Sequence, residues 1–241
     1  VVMTEVIGPD NYDIGHSFGT SGGGLAGGSP CSDFKGSAMT GMSSPVGDPF
    51  DIDYVSHEMG HQFGAAHTFN AECGGNRSDN HAYEPGGGTT ILGYAGVCDP
   101  VIQWNSDAQF HAISIYQMRQ LINSSGNCVE LTGTGNTPPV ANAGKDYTIP
   151  KGTAFILEGT ATDSNGDALT YDWEQFNNEI SIQPPVADAT GGPNFRSLPI
   201  TESPNRFIPR IQDVIAGNLT PEWEVIPNVG RILDFVFTVR D

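Results

Sequence analysis

The stretch His57-Glu58-Met59-Gly60-His61-Gln62-Phe63-Gly64-Ala65-Ala66-His67 carries residue types that bind a metal ion and put it to use. Residues four apart on an α-helix project from nearly the same face, so His57 and His61 can aim their imidazoles at one point. Glu58 is rotated away from that pair, which suits a base acting on a metal-activated water better than a third ligand. Gly64 enters the left-handed backbone conformation without steric cost, so it can end the helix and let His67 reach the same point. Three neutral imidazoles leave one tetrahedral position of a zinc ion open, the mark of a catalytic rather than a structural site. The H-E-x-x-H half of the pattern does arise by chance, in buried helices with satisfied core histidines. Gly64 and His67 at the right spacing make it far more specific for a zinc hydrolase.

Such a pair needs a rigid helix. Asp48 is the expected N-cap, Pro49 suits the first helical position, and Asp51 favours the first turn electrostatically. Ile52, Val55, Met59 and Phe63 recur at helical spacing and should face the core. Upstream, Val1 to Ile7 reads as a helix end stopped by Gly8-Pro9, and Tyr12 to Phe18 as a strand. Residues 19–28 are nearly all glycine and small residues: either a flexible linker or an extended strand open to close backbone approach. No Lys-Ser or Lys-Thr follows, so this is not a phosphate loop. Residues 69–88 are polar and loop-like. His81 lies there; it, His16 and His111 are expected to be surface or packing histidines. Ser106 or Asp107 should cap a second helix with Phe110, Ile113, Met118, Leu121 and Ile122 on its apolar face, ended by Gly126.

These residues carry a resemblance to the metzincin metallopeptidases, closest to the reprolysin-like (adamalysin-like) group and its secreted bacterial relatives. It covers roughly the first 130 residues. The resemblance implies that His57, His61 and His67 bind zinc and that Glu58 is the general base. Gly24-Leu25-Ala26-Gly27 resembles the edge strand along which an extended substrate pairs. Thr90-Ile91-Leu92-Gly93-Tyr94 resembles the turn beneath the zinc, with Leu92 where the family has methionine. Tyr94 matches the tyrosine that some groups bring to the metal, where its phenol binds zinc or stabilises an oxyanion; a core tyrosine with a satisfied hydroxyl is the alternative. Thr68 is a second departure, where reprolysins usually carry aspartate. Only 56 residues precede His57, fewer than the family's strands and helix need, so the catalytic domain is expected to be truncated at its front.

The chain has 10 Lys and Arg against 28 Asp and Glu, a formal charge of −18. Such a surface repels nucleic acid and anionic membranes, and no apolar run approaches the ~20 residues that span a bilayer. Neither nucleic-acid binding nor membrane insertion is expected. No signal peptide is visible, so an export signal is expected to have been removed already. Cys31, Cys73, Cys98 and Cys128 are spaced too widely for a zinc ribbon and suit two disulfides in an oxidising compartment. Arithmetic allows three connectivities; the resemblance implies Cys31–Cys128, leaving Cys73–Cys98.

Residues 132–139 read as a linker between a zinc metallopeptidase domain at 1–131 and an all-β domain at 140–241. Strands are expected over Thr153 to Thr162, Leu169 to Phe176 and Arg231 to Arg240, with Trp173 in an immunoglobulin-like core. The run from Pro139 to Gln175 resembles PKD-like or fibronectin-like modules of secreted bacterial hydrolases, and 177–230 reads as a proline-punctuated insertion. Asp163, Asn165 and Asp167 alternate as early calcium-loop ligands do, and Glu174 falls at the twelfth position. Ala168 breaks that pattern where glycine is needed, and a strand-joining turn is the simpler reading; calcium stays a second candidate ion.

The expected architecture is therefore an α+β metzincin-like catalytic domain followed by an all-β immunoglobulin-like sandwich. The expected function is a secreted zinc endopeptidase acting on protein or peptide, with an extracellular polymer as a candidate partner of the second domain. Two rivals stand beside it. One is a catalytically impaired protease fold that binds through its β-sandwich; the other is a zinc hydrolase of non-peptide substrates.

Overall fold

The computed structural model describes residues 2–124 and 132–241. It divides into two compact units. One holds the residues through Ala66 with the helical segment from Ile113; the other holds His67–Ala112 with Gly133–Asp241.

In the first unit, helix α1 (Val2–Val6) stops before Gly8, whose φ is 85°. Strands β1 (His16–Gly19), β2 (Gly23–Leu25) and β3 (Ala38–Gly41) form a sheet in the order β1-β3-β2. The expected strand from Tyr12 is thus confined to His16–Gly19. β3 pairs parallel to β1 and antiparallel to β2, so β2 is an edge of the sheet. Ala38 and Thr40 point inward while Met39 and Leu25, opposite one another, are exposed. His16 ties sheet to helix: its two ring nitrogens meet Gln62 Oε1 at 2.8 Å and Thr40 Oγ1 at 2.6 Å. That makes His16 a packing histidine, as expected.

The chain enters its helical run at Gly47, not Asp48. Gly47 takes the positive-φ cap conformation (φ 71°), and Asp48 becomes the first residue of α2 (Asp48–Phe50). A π-helical stretch, Asp51–Ser56, then leads into α3 (His57–Gln62). A π turn holds more residues than the 3.6 of an α turn, so periodicity before it falls out of phase with periodicity after it. This corrects the expected stripe: Phe50, His57, Gly60 and Gln62 are the buried residues, while Ile52, Val55, Met59 and Phe63 are half-buried. α4 (Ala112–Ser124) starts later than the expected Ser106 or Asp107 cap, leaving Phe110 outside it. The expected stop at Gly126, and Cys128, lie outside the described residues.

In the second unit, β4 (Val140–Asn142) pairs with β6 (Thr160–Thr162), β5 (Phe155–Glu158) with β8 (Asn205–Ile208), and β7 (Thr170–Gln175) with β9 (Phe235–Arg240), all antiparallel. The expected strand over Thr153 to Thr162 breaks at Gly159, where the chain passes from β5, paired with β8, to β6, paired with β4; the Phe237 ring fills the space a side chain would need at Gly159. Trp173 is buried as expected; it stacks on Phe237 with ring centroids 4.7 Å apart and donates Nε1–H to Pro204 O at 2.8 Å. Phe195, Ile208 and Ile226 form the core with Phe155, Leu157, Leu219, Leu233 and Phe235 around them. Each large apolar side chain buried there stabilises by roughly 1.5–3 kcal/mol. All three central residues come from 177–230, so this stretch builds the core instead of decorating it. The result is a mixed α and β structure with several small sheets. Among the described residues the β-region strands pair only two by two, without the continuous sheets of an immunoglobulin-like sandwich. No described helix is long and apolar enough to cross a membrane.

Candidate metal centre

The helix that carries His57 and His61 is closed by the geometry its sequence promised. Gly64 has φ 86°, its N–H bonds His61 O at 2.9 Å, and Ala65 N–H bonds Gly60 O at 3.0 Å. This is the double bond of a glycine-terminated helix, which satisfies two orphan carbonyls and reverses the chain within one residue.

The Nε2 atoms of His57 and His61 face each other at 3.0 Å. That is close to the ~3.3 Å tetrahedron edge set by metal–nitrogen bonds of ~2.05 Å. His61 Nδ1 lies 2.7 Å from Ala65 O, and His67 Nδ1 lies 2.7 Å from Asn76 O. A carbonyl only accepts, so Nδ1 carries the proton in both rings and Nε2 keeps the lone pair that a metal takes. Burial, opposed by the Ala65 carbonyl, lowers the pKa of His61 and favours this neutral form. One nitrogen from each of His57, His61 and His67 falls within 4.8 Å of the others, so the three can hold a metal ion together. Three neutral imidazoles are a donor set that suits zinc.

Glu58 reaches to the edge strand. Its carboxylate lies against the backbone of Gly24, and the Ala26 N–H bonds to it. Burial raises its pKa above the usual carboxylate range, and the Ala26 bond works against that rise. Leu25, between them, is exposed, and Gly27 turns its carbonyl to Gln62 Nε2 at 3.4 Å. Gln62 was not anticipated as a site residue. A glutamine amid apolar helix positions was the only hint.

The Tyr94 ring packs edge-on against His67 and tilted against Phe69, with centroids 4.6 Å away in each case. The turn that carries it is held by Glu84, another unanticipated residue. Glu84 is buried; Oε1 accepts from Thr68 Oγ1 at 2.6 Å and Thr90 Oγ1 at 2.5 Å, and Oε2 from the Thr89 and Thr90 N–H at 2.7 and 3.1 Å. Thr68 N–H in turn bonds Leu92 O at 3.2 Å, and the Leu92 side chain is fully buried. Both departures from the resemblance are therefore structurally occupied: Thr68 binds Glu84, and Leu92 packs where methionine was expected.

Cys73 and Cys98 are bonded, with Cα atoms 5.4 Å apart, as expected. The Cys31–Cys128 pairing lies outside the described residues, because Cys128 does. His81 bonds Ser78 near the surface, and His111 is buried against Tyr83 and Phe176. Asp163, Asp167 and Asp241 bring carboxylates within 4.8 Å of one another. Asp163 Oδ1 already accepts three turn N–H groups, from Asn165, Gly166 and Asp167. Glu174 is no partner of that loop: it is buried and accepts the Ala112 N–H at 2.6 Å, the cap that α4 was expected to take from Ser106 or Asp107.

A family model described as metallo-peptidase family M12B, reprolysin-like, matches residues 1–124, just over half of the 241. No curated protein and no solved structure matches the chain.

Proposed function

Because this chain belongs to the reprolysin-like M12B metallopeptidases, a family of zinc-dependent peptidases, we propose that it is an endopeptidase in which Glu58 is the general base. The reading is carried by one observation: His57 and His61 meet at Nε2 while Glu58, between them in sequence, turns to the edge strand. His57, His61 and His67 would hold the zinc, which when bound supplies Lewis acidity towards a peptide carbonyl and lowers the pKa of water. The Glu58 carboxylate takes a proton from the attacking water and hands it to the departing amine nitrogen. An extended peptide pairs along the outer edge of β2 at Gly24–Gly27, which sets its scissile bond beside Glu58. Tyr94, packed on His67, steadies the developing oxyanion through its phenol. An extracellular, oxidising location belongs to the same reading and is supported by the Cys73–Cys98 disulfide.

The test is cleavage of a mixed peptide library, read by mass spectrometry, with wild type and Glu58→Ala compared at equal zinc content. Internal cuts made by wild type and lost in the variant are expected. Cuts at the same sites by both proteins would overturn the assignment of Glu58, and cuts by neither would favour a binding role for the fold.

A further inference from the structure

The stretch 67–112 carries His67 and Tyr94. Among the described residues it holds only one short 3₁₀ turn, Cys73–Gly75, and the isolated bridge between Phe69 and Glu84. Residues 84–93 are nevertheless all buried. Buried backbone that belongs to no helix or sheet ladder must find its hydrogen bonds elsewhere. One of these partners, within the same compact unit, comes from far along the chain: the Gly86 N–H bonds Gln183 Oε1 at 2.7 Å.

Gln183 lies in the stretch that reads from sequence as an insertion, and its amide is used at both ends. Oε1 takes the Gly86 N–H, so Nε2 turns to Asn70 Oδ1 at 3.3 Å. Asn70 is buried, and partners that act one way only fix its orientation. Its Nδ2 donates to the carbonyls of Ala82 at 2.9 Å and Glu179 at 3.1 Å, and its Oδ1 accepts the Ser181 N–H at 3.0 Å. Gln183 thus ties together the two segments that present His67 and Tyr94. Asn70 follows His67 by three residues, and the next N–H, that of Ala71, bonds Gly86 O at 2.9 Å. The Tyr94 N–H bonds the carbonyl of Gly87, the residue after Gly86, at 2.6 Å. Gly86 is closely packed as well: a Cβ there would lie 2.9 Å from the Trp223 ring and 2.8 Å from Pro100 O. The seam continues at Gln109, whose amide bonds Leu198 O and the Ile200 N–H at 3.0 Å each. Building on the peptidase reading above, we infer that Gln183 is a positioning residue for peptide cleavage. Through Gly86 and Asn70 it fixes where His67 and Tyr94 stand, so the β-region works as part of the peptidase rather than as a separate binding module.

The test uses the full chain. Gln183→Met keeps the length of the side chain and removes both bonds. Gln183→Glu keeps an acceptor for the Gly86 N–H and loses only the donation to Asn70, so it also serves where Gln183→Met does not fold. Ile208→Val, in the core of the β-region, is the control for loss of stability alone, with Tm measured for each protein. On a peptide that wild type cuts, Gln183→Met should lower kcat roughly tenfold with KM little changed, the scale of one or two ordinary hydrogen bonds. Gln183→Glu should recover most of that loss, and Ile208→Val should keep the wild-type kcat at its lowered Tm. The second readout is the visible d–d absorption of the cobalt(II)-loaded proteins, which follows the geometry of the ligands around the ion. That band should change in Gln183→Met and stay as in wild type in Ile208→Val. A wild-type kcat or an unchanged cobalt band in Gln183→Met overturns the proposal, as does an equal fall in kcat in Ile208→Val. If wild type cuts no peptide, the endopeptidase reading fails by itself, and the cobalt band still decides whether Gln183 positions His67.

Discussion

Gly24 lies so close to Glu58 that a methyl group at position 24 would overlap the Glu58 carboxylate. The glycine is therefore needed for space, beyond any flexibility it gives the strand. Gly24→Ala must push the carboxylate away from the Ala26 N–H or lift the strand. A misplacement of about 1 Å costs roughly 10²-fold in rate. We expect kcat/KM to fall on that order with zinc content unchanged, while Leu25→Ala, at an exposed position, keeps zinc and fold. Wild-type kinetics for Gly24→Ala would show that Glu58 does not work from this place.

The 3.0 Å approach of the two Nε2 atoms is a strain on two like lone pairs unless a cation or a proton lies between them. Removing metal with a chelator should abolish peptide cleavage and lower Tm, and zinc should restore both, since a ligand that binds only the folded state stabilises by mass action. His61→Ala should reduce bound zinc to well below one per chain, measured by elemental analysis. Full zinc occupancy in that variant would remove His61 from the ligand set.

Glu84 is the acceptor for two backbone N–H groups and for the hydroxyls of Thr68, Thr89 and Thr90. Glu84→Ala leaves these donors buried, at about 1–3 kcal/mol for each that stays unsatisfied. Urea unfolding should show a loss of at least ~3 kcal/mol, together with loss of activity because Thr90–Tyr94 is no longer held. An unchanged unfolding midpoint would show that water or another group replaces the carboxylate.

Asp172 and Glu174 alternate along β7 and are both buried. Burial, with Glu174 adding to it and Arg206, Arg240 and His111 opposing, pushes Asp172 up to about 7. Burial, with Glu84 adding and the Ala112 N–H, Arg240 and Ser197 opposing, pushes Glu174 up to about 8. Unfolded carboxyls titrate near ~4. The folded state therefore holds these protons more tightly, and stability present below that pH is lost as pH rises through about 7 and 8. Tm should fall from pH 6 to pH 9 (order-of-magnitude bounds on the window set by linkage). Glu174→Gln, which keeps an acceptor for Ala112, should flatten that fall. A Tm that rises over this range would contradict the burial argument.

Much of the centre was legible because its spacing is local. Four residues make one helical turn and glycine alone takes positive φ cheaply, so His57, His61, Gly64 and His67 announce a metal site from sequence. The Cys73–Cys98 closure was legible only through the family resemblance, and Trp173 as a core residue only through the likeness of its strand to a sandwich. Local logic failed where a competing local conformation or a long-range partner outweighs the expected signal. Asp48 looked like a cap, yet Gly47 before it takes the turn. Ser106 and Asp107 looked like caps, yet the helix waits for Glu174, 62 residues beyond Ala112. The apolar stripe of the first helix was read with one period, and the π-helical stretch changed the phase.

The sequence by itself determined which chemistry this protein can do, because the ligand spacing is a property of one helix and the turn after it. Tertiary structure decided what surrounds that chemistry: Glu58 set beneath Gly24, the turn at Leu92 held by Glu84, and Tyr94 packed on His67. Those relations join residues far apart in the chain. Their energies come from burial and from partners brought together by packing, neither of which has a period or a spacing to be read in advance.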